Sequence, residues 1–323
     1  MHISIVHDVK NIFQNLNHKI DSVNLSGATW VNKEKQGKTR VVDAKNWKSI
    51  NQKMCDDFYK KYKRKLKNYD GFIHSYPPAF ALLFEKFEKP IITIACTRFD
   101  FPIKIEDVDW LIQGLQRLKK NGQLISVANN LLDKHYCEKF LGFEWKYISS
   151  LCDYMQVRYR PEFKKFITWQ RADIEPIQSE LIDYNFSIRK KYLRTEISKY
   201  LGVVHIPYNL SIMSAFEHYY QSIPLFFPSQ NFQEKMYLQS DRMLSEILFP
   251  NTILTFSPEL IAFADWYNSE NMPFINFFES YEHLNELLSS TNLLNVSESM
   301  SKFNVVRESK VYSQWDAILE KLK

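Results

Sequence analysis

Val203 to Ser229 reads VVHIPYNLSIMSAFEHYYQSIPLFFPS. Val203-Val204-His205-Ile206 is a short β-branched run, long enough for one buried strand. Pro207 and Asn209 break it. Ser211 or Asn209 is placed to cap a helix from about Ile212 to Gln221. Pro224 restarts the chain into Leu225-Phe226-Phe227, a second buried strand closed by Pro228-Ser229. Strand, tight loop, helix and strand in this order make one right-handed crossover of a parallel sheet. Such a unit sets a helix N-terminus at the carboxyl edge of the sheet, where unpaired N–H groups attract anions. Ligands of open α/β sheets bind at that edge.

The rest of the chain repeats the alternation. Upstream, strands are expected at His2–His7, Gly71–Ser75, Pro90–Ala95, Leu124–Ala128 and Trp145–Leu151, with a further one at Thr29–Val31. Helices are expected at residues 51–68, from Pro77-Pro78 to Phe87, over Ile105–Lys119 and over Leu131–Phe140. In residues 51–68 the apolar positions Met54, Phe58, Tyr62 and Leu66 recur every four residues. A domain boundary is expected in the polar stretch 152–162, giving an N-terminal domain of residues 1–155 and a C-terminal one of 156–323. The second domain starts with a strand at Phe166–Trp169. A polar loop and a basic helix at Ser187–Tyr200 follow. After the crossover come helices at Asn231–Leu248, around Glu259–Trp266, at Ser280–Leu288 and at Val311–Leu322, with apolar pieces at Leu254–Phe256 and Pro273–Phe277. The last helix is expected to pack back on the first domain. Strands alternating with helices imply an α/β fold with parallel sheets.

Composition excludes several classes. Of 323 residues, 45% are hydrophobic and 24% charged, which is globular and not disordered. Only 7 glycines occur, and neither GxxxxGK[ST] nor GxGxxG is present. Four separated cysteines without CxxC or Cys/His spacing read as free thiols in a reducing compartment. No apolar run reaches eighteen residues and no signal-peptide layout opens the chain, so an intracellular, cytoplasmic protein is expected. The net charge of +5 is uneven, because KKYKRKLK at residues 60–67 carries six cations. That run reads as a solvated helix face, or as peripheral contact with an anionic membrane or acidic partner. No nucleic-acid-binding module accompanies it.

HIPYNLSIMSAFEHYYQSIPLFFPS resembles the donor-binding motif of GT-B glycosyltransferases. In that family two Rossmann-like domains face each other across a cleft, and the second binds a nucleotide sugar. The resemblance is close over this unit and loose over the two-domain layout. It implies that Glu217 accepts hydrogen bonds from the two ribose hydroxyls, since a carboxylate offers two acceptor oxygens to a diol. It implies that Ser211, Met213 and Ser214 offer N–H groups to the diphosphate, and that His205 and Tyr208 face the donor. Retaining members often carry two Glu flanking seven residues. Here Asn209 holds the first position, which favours an inverting mechanism. The competing readings are plain: Glu217 as a surface residue of an amphipathic helix, His205 as a satisfied buried histidine, and the aromatic residues as core.

The leaving diphosphate needs a cation. Arg171, just after the strand FITWQ, is preferred over Arg189, Lys190 and Lys191. No DxD-like pair sits at a strand end, so no metal is implied, and the nucleotide-diphosphate sugar enters as co-substrate without a further cofactor. An inverting transferase needs a general base in the first domain. His74, at a strand end before a helix start, is the first choice. Asp100, next to Arg98, is the second, with His7 and Asp8 also at an expected strand end. The expectation is a metal-independent transfer of a sugar to a hydroxyl of a glycan or glycoconjugate. An epimerase of the same fold, or a non-catalytic nucleotide-sugar or glycan-binding module, is the alternative.

Overall fold

The computed structural model describes residues 3–23, 25, 37–169, 177–184, 194–240, 252–253 and 255–322. They form a mixed α/β protein with a four-stranded and a five-stranded sheet. All strand pairs among the described residues are parallel. The chain divides into two units. The first comprises Met1–Ser150, Phe249–Thr255 and Val311–Lys323, and the second Leu151–Leu248 and Phe256–Lys310. Among the described residues no helix is long and apolar enough to cross a membrane.

The first unit opens with helix α1 (Ile3–Asn15), not with the strand expected at His2–His7. Ile5, Val9, Ile12 and Phe13 are all buried, a stripe at helical spacing that outweighs the β-branched start. His7 and Asp8 therefore lie within a helix and not at a strand end. Helix α2 (Gln52–Leu66) is capped by Asn51, whose side chain accepts from the Met54 N–H at 3.0 Å. Then follow β1 (Phe72–His74), α3 (Ala81–Phe84) between two 3-10 turns, and β2 (Ile91–Ala95). Helix α4 (Val108–Lys120) and β3 (Leu124–Ala128) come next. Helix α5 (Leu131–Leu141) is capped by Asn130 and ends at Gly142, whose φ of 75° suits glycine. The strand expected at Trp145–Leu151 shrinks to β4 (Lys146–Tyr147). The sheet runs β1-β2-β3-β4, each strand joined to the next through a helix.

The second unit holds β5 (Phe166–Thr168), β6 (Ile182–Tyr184), the short α6 (Arg194–Ile197) and β7 (Val203–Val204). These lead to α7 (Met213–Tyr220), β8 (Leu225–Pro228), α8 (Gln230–Leu238) and β9 (Asn276–Phe278). Helices α9 (Tyr281–Ser290) and α10 (Leu293–Leu319) follow. β6 falls where the sequence reads as a polar loop, and α10 begins well before the helix expected from Val311. The helix expected near Glu259–Trp266 is a pair of 3-10 segments, Pro258–Phe263 and Asp265–Tyr267. The expected strand at Thr29–Val31, most of the basic helix at Ser187–Tyr200 and the end of the helix at Asn231–Leu248 lie outside the described residues. β7, α7 and β8 form the expected parallel crossover, with Val203 opposite Leu225 and Val204 opposite Phe226. Phe166, Val204, Phe226 and Phe278 build one face of this sheet under Leu284 and Leu288 of α9. Full burial of each such side chain stabilises by roughly 1.5–3 kcal/mol.

Strand order in the second sheet is β6-β5-β7-β8-β9. The chain leaves β5 for β6 on one side and returns with β7 on the other. The order therefore reverses between β5 and β7, a topological switch point.

Candidate functional site

At a switch point the two flanking strand ends diverge into loops on opposite faces, which opens a crevice at the carboxyl edge. Here those ends are Thr168-Trp169 after β5 and His205 to Ile212 after β7. Thr168 is buried, and its hydroxyl makes no hydrogen bond among the described residues. Trp169 stacks on His218 of α7, with centroids 5.7 Å apart and planes 6° apart. His218 Nδ1 and His205 Nε2 are 3.2 Å apart, one donating and the other accepting. His205 in turn stacks on Phe227 at 4.5 Å, and Phe227 on Trp266 at 4.8 Å. Burial first, and then the neighbouring His218, hold His205 well below the usual imidazole range. His205 is thus a neutral member of an aromatic column.

The loop that enters α7 is fixed by its own side chain. Asn209 is buried, and its Oδ1 accepts from the N–H groups of Leu210 at 2.8 Å and Ser211 at 3.4 Å. This Asx turn stops short of the helix. The N-cap position of α7 is Ile212, which supplies no side-chain acceptor, so neither Asn209 nor Ser211 caps the helix as expected. Ser211 and Ser214 are half-buried and Met213 is buried at the helix start; Tyr208 is half-buried in the preceding loop. Glu217 lies one turn into α7 and is only 7% exposed. Tyr154 donates to its Oε1 at 2.5 Å. The far end of α7 is held by Asn304 of α10, whose Nδ2 donates to the carbonyls of Tyr219 at 3.0 Å and Tyr220 at 3.2 Å. Thr168, Trp169, His218 and Tyr154 are neighbours of this edge that sequence reasoning missed. The strand FIT pointed to the first two; nothing local marks Tyr154, which lies 63 residues from Glu217.

The first sheet has its own polar edge. His74 ends β1 and sits opposite Thr93 of β2 in register. Its Nε2 lies 2.8 Å from Thr93 Oγ1, while its buried Nδ1 has no well-formed hydrogen bond. Burial pushes this imidazole down to about 3, opposed in smaller measure by the backbone of Pro77. The hydroxyls of Ser75, after β1, and Thr97, after β2, are also buried without hydrogen bonds. Asp100 is fully buried; its Oδ2 accepts from Tyr136 at 2.7 Å and from the Ile253 N–H at 2.8 Å. Burial raises its carboxyl above the usual range. Arg98, expected to serve Asp100 or a substrate, has its ion pair with buried Asp133, Nε to Oδ1 at 3.4 Å.

Arg171 and the alternatives Arg189, Lys190 and Lys191 lie outside the described residues. Among the described residues no three His, Cys, Asp or Glu are grouped to hold a metal ion. No protein-family model matches the chain, and no curated protein matches its sequence.

Proposed function

We propose that the protein is a GT-B-type glycosyltransferase that moves a sugar from a nucleotide diphosphate to a hydroxyl acceptor. The observation that carries this reading is the switch point between β5 and β7, which coincides with the loop entering α7. The start of α7 carries no side-chain cap and turns the positive end of the helix dipole toward an anion. In this reading the diphosphate binds there, and Arg171 is the cation that the sequence nominates for it. Glu217, one turn later, accepts from the ribose hydroxyls while Tyr154 fixes its other side. Thr168 and Trp169 border the same edge and suit a polar and a planar group of the donor.

Asn209 spends its side-chain oxygen on its own loop, so it offers no second carboxylate beside the sugar. This favours an inverting displacement. The acceptor oxygen attacks the anomeric carbon, the bond to the diphosphate breaks, and a base takes the acceptor proton. The first choice of base in the first unit is His74, whose Nε2 lies against Thr93; the buried hydroxyls of Ser75 and Thr97 follow the ends of β1 and β2. Asp100 is the second choice, since its Oδ2 already takes two hydrogen bonds.

Turnover tests the proposal. The protein is incubated with nucleotide sugars, with and without oligosaccharide acceptors, and the products are separated. Release of nucleoside diphosphate with a glycosylated or hydrolysed sugar is expected. An epimerised free donor, or binding without turnover, would replace transfer by one of the other two readings.

A further inference from the structure

The cationic run at residues 60–67 is half of a larger feature. Lys60, Lys61, Lys63, Arg64, Lys65 and Lys67 are all exposed. At about 100° per residue, Lys60, Lys63, Arg64 and Lys67 fall within about 100° of one another. They lie opposite Cys55 and Phe58, the buried residues of α2. The Arg40 N–H donates to the Tyr62 hydroxyl at 2.8 Å, which brings the preceding segment against the helix. That segment adds exposed Lys38, Arg40, Lys45 and Lys48. Residues 37–67 hold eleven Lys and Arg against three Asp, a surplus larger than the net +5 of the whole chain.

We infer that this face binds the surface of an anionic lipid bilayer. Two features select this occupant. Among the described residues the large exposed apolar side chains, such as Ile105, Leu238, Leu294, Val305 and Val306, all lie outside residues 37–67. A protein partner would want an apolar or aromatic anchor at the centre of its footprint, and a single-stranded nucleic acid would want exposed rings for stacking. The face offers neither. It offers an exposed, lysine-rich field, which suits a plane of lipid phosphates and carboxylates. Because Cys55 and Phe58 of α2 are spent on the core, the helix cannot insert. Attachment is electrostatic, peripheral and salt-sensitive. This inference does not depend on the transferase reading.

Vesicle co-sedimentation of the full chain tests it. Vesicles of phosphatidylcholine with 30% phosphatidylserine are compared with phosphatidylcholine alone, at about 50 and 500 mM salt. Binding to the anionic vesicles at low salt is expected, with loss at high salt and none to neutral vesicles. Each cation near the surface contributes roughly fivefold to binding. Lys60→Gln, Lys63→Gln, Arg64→Gln and Lys67→Gln together should therefore weaken it by two orders of magnitude or more. Gln keeps the helix propensity of Lys and Arg, and circular dichroism checks the fold. A control replacing exposed Lys104, Lys139, Lys235 and Lys302 by Gln should lose far less. Equal binding to neutral vesicles, no binding of the wild type, full binding of the α2 variant, or tighter binding to duplex or single-stranded nucleic acid at the same salt would each overturn the inference.

Discussion

His74→Asn should flatten the pH dependence of stability of the first unit. In the folded protein burial holds His74 at about 3, against an ordinary imidazole value of 6.5. Between those values the unfolded chain takes up a proton that the folded chain refuses. The stabilising contribution is therefore intact above pH 6.5 and is lost as the pH falls toward 3. From pH 7 to pH 5 the expected loss is about 2 kcal/mol for this one group. Other buried groups titrate as well: His205 in the same sense, Asp100 and Asp133 in the opposite one. They are common to both proteins, so the difference between wild type and variant isolates His74. The variant will be less stable at pH 7, because it loses the bond to Thr93 and some packing. The quantity of interest is the slope. Urea unfolding at pH 7 and pH 5, followed by pulsed hydrogen exchange through peptides of β2, reads the first unit alone. Wild type should lose about 2 kcal/mol more than His74→Asn over this interval. Equal losses would mean that His74 titrates normally, and would refute the argument from burial.

Gly202→Ala should destabilise the second sheet by about 1–3 kcal/mol. An added Cβ would meet the Pro224 carbonyl oxygen at 2.7 Å and Phe166 Cδ1 at 3.1 Å, and a backbone carbonyl cannot swing away. An unchanged melting temperature would contradict the close approach of β7 to its neighbours. Burial pushes Cys55 up to about 12 and also raises Cys96 and Cys137. The native protein at pH 8 should thus react slowly with a thiol reagent and expose all four cysteines only in denaturant; rapid labelling of two or more would show that these thiols are accessible.

The sequence announced its elements where one signal acted alone. β2, β3 and β8 are continuous apolar runs bounded by turn residues, and the β7–α7–β8 crossover is marked by Pro207, Asn209 and Pro224. Where two signals overlapped, the reading went astray. His2–His7 is β-branched, yet Ile5, Val9, Ile12 and Phe13 carry a helical period that only packing could favour. In α10 the inward positions include Asn304 and Arg307, polar residues that bond within the fold and so hide the stripe running from Met300 to Ile318. β6 is short and partly polar and, among the described residues, pairs with β5 alone, so its sequence reads as a loop.

The candidate site was legible in the same proportion. The helix start and Glu217 lie within one local motif. The switch point depends on β6, and Tyr154 meets Glu217 only through tertiary structure. The apparent cap at Asn209 or Ser211 was misplaced because Asn209 satisfies its own loop one residue too early.

The donor site is tested most directly by calorimetric titration of wild type and Glu217→Gln with UDP, GDP and ADP and with their 2′-deoxy counterparts. Gln keeps an oxygen for Tyr154 and removes the charge offered to the ribose. A hydrogen bond to a charged group contributes about 1.5–3 kcal/mol, so the best-binding diphosphate should lose roughly 10- to 100-fold in affinity. The 2′-deoxy counterpart, which lacks one of the hydroxyls, should lose much less. Equal affinities of wild type and variant, or no binding of any nucleoside diphosphate at millimolar concentration, would contradict a nucleotide site at the start of α7.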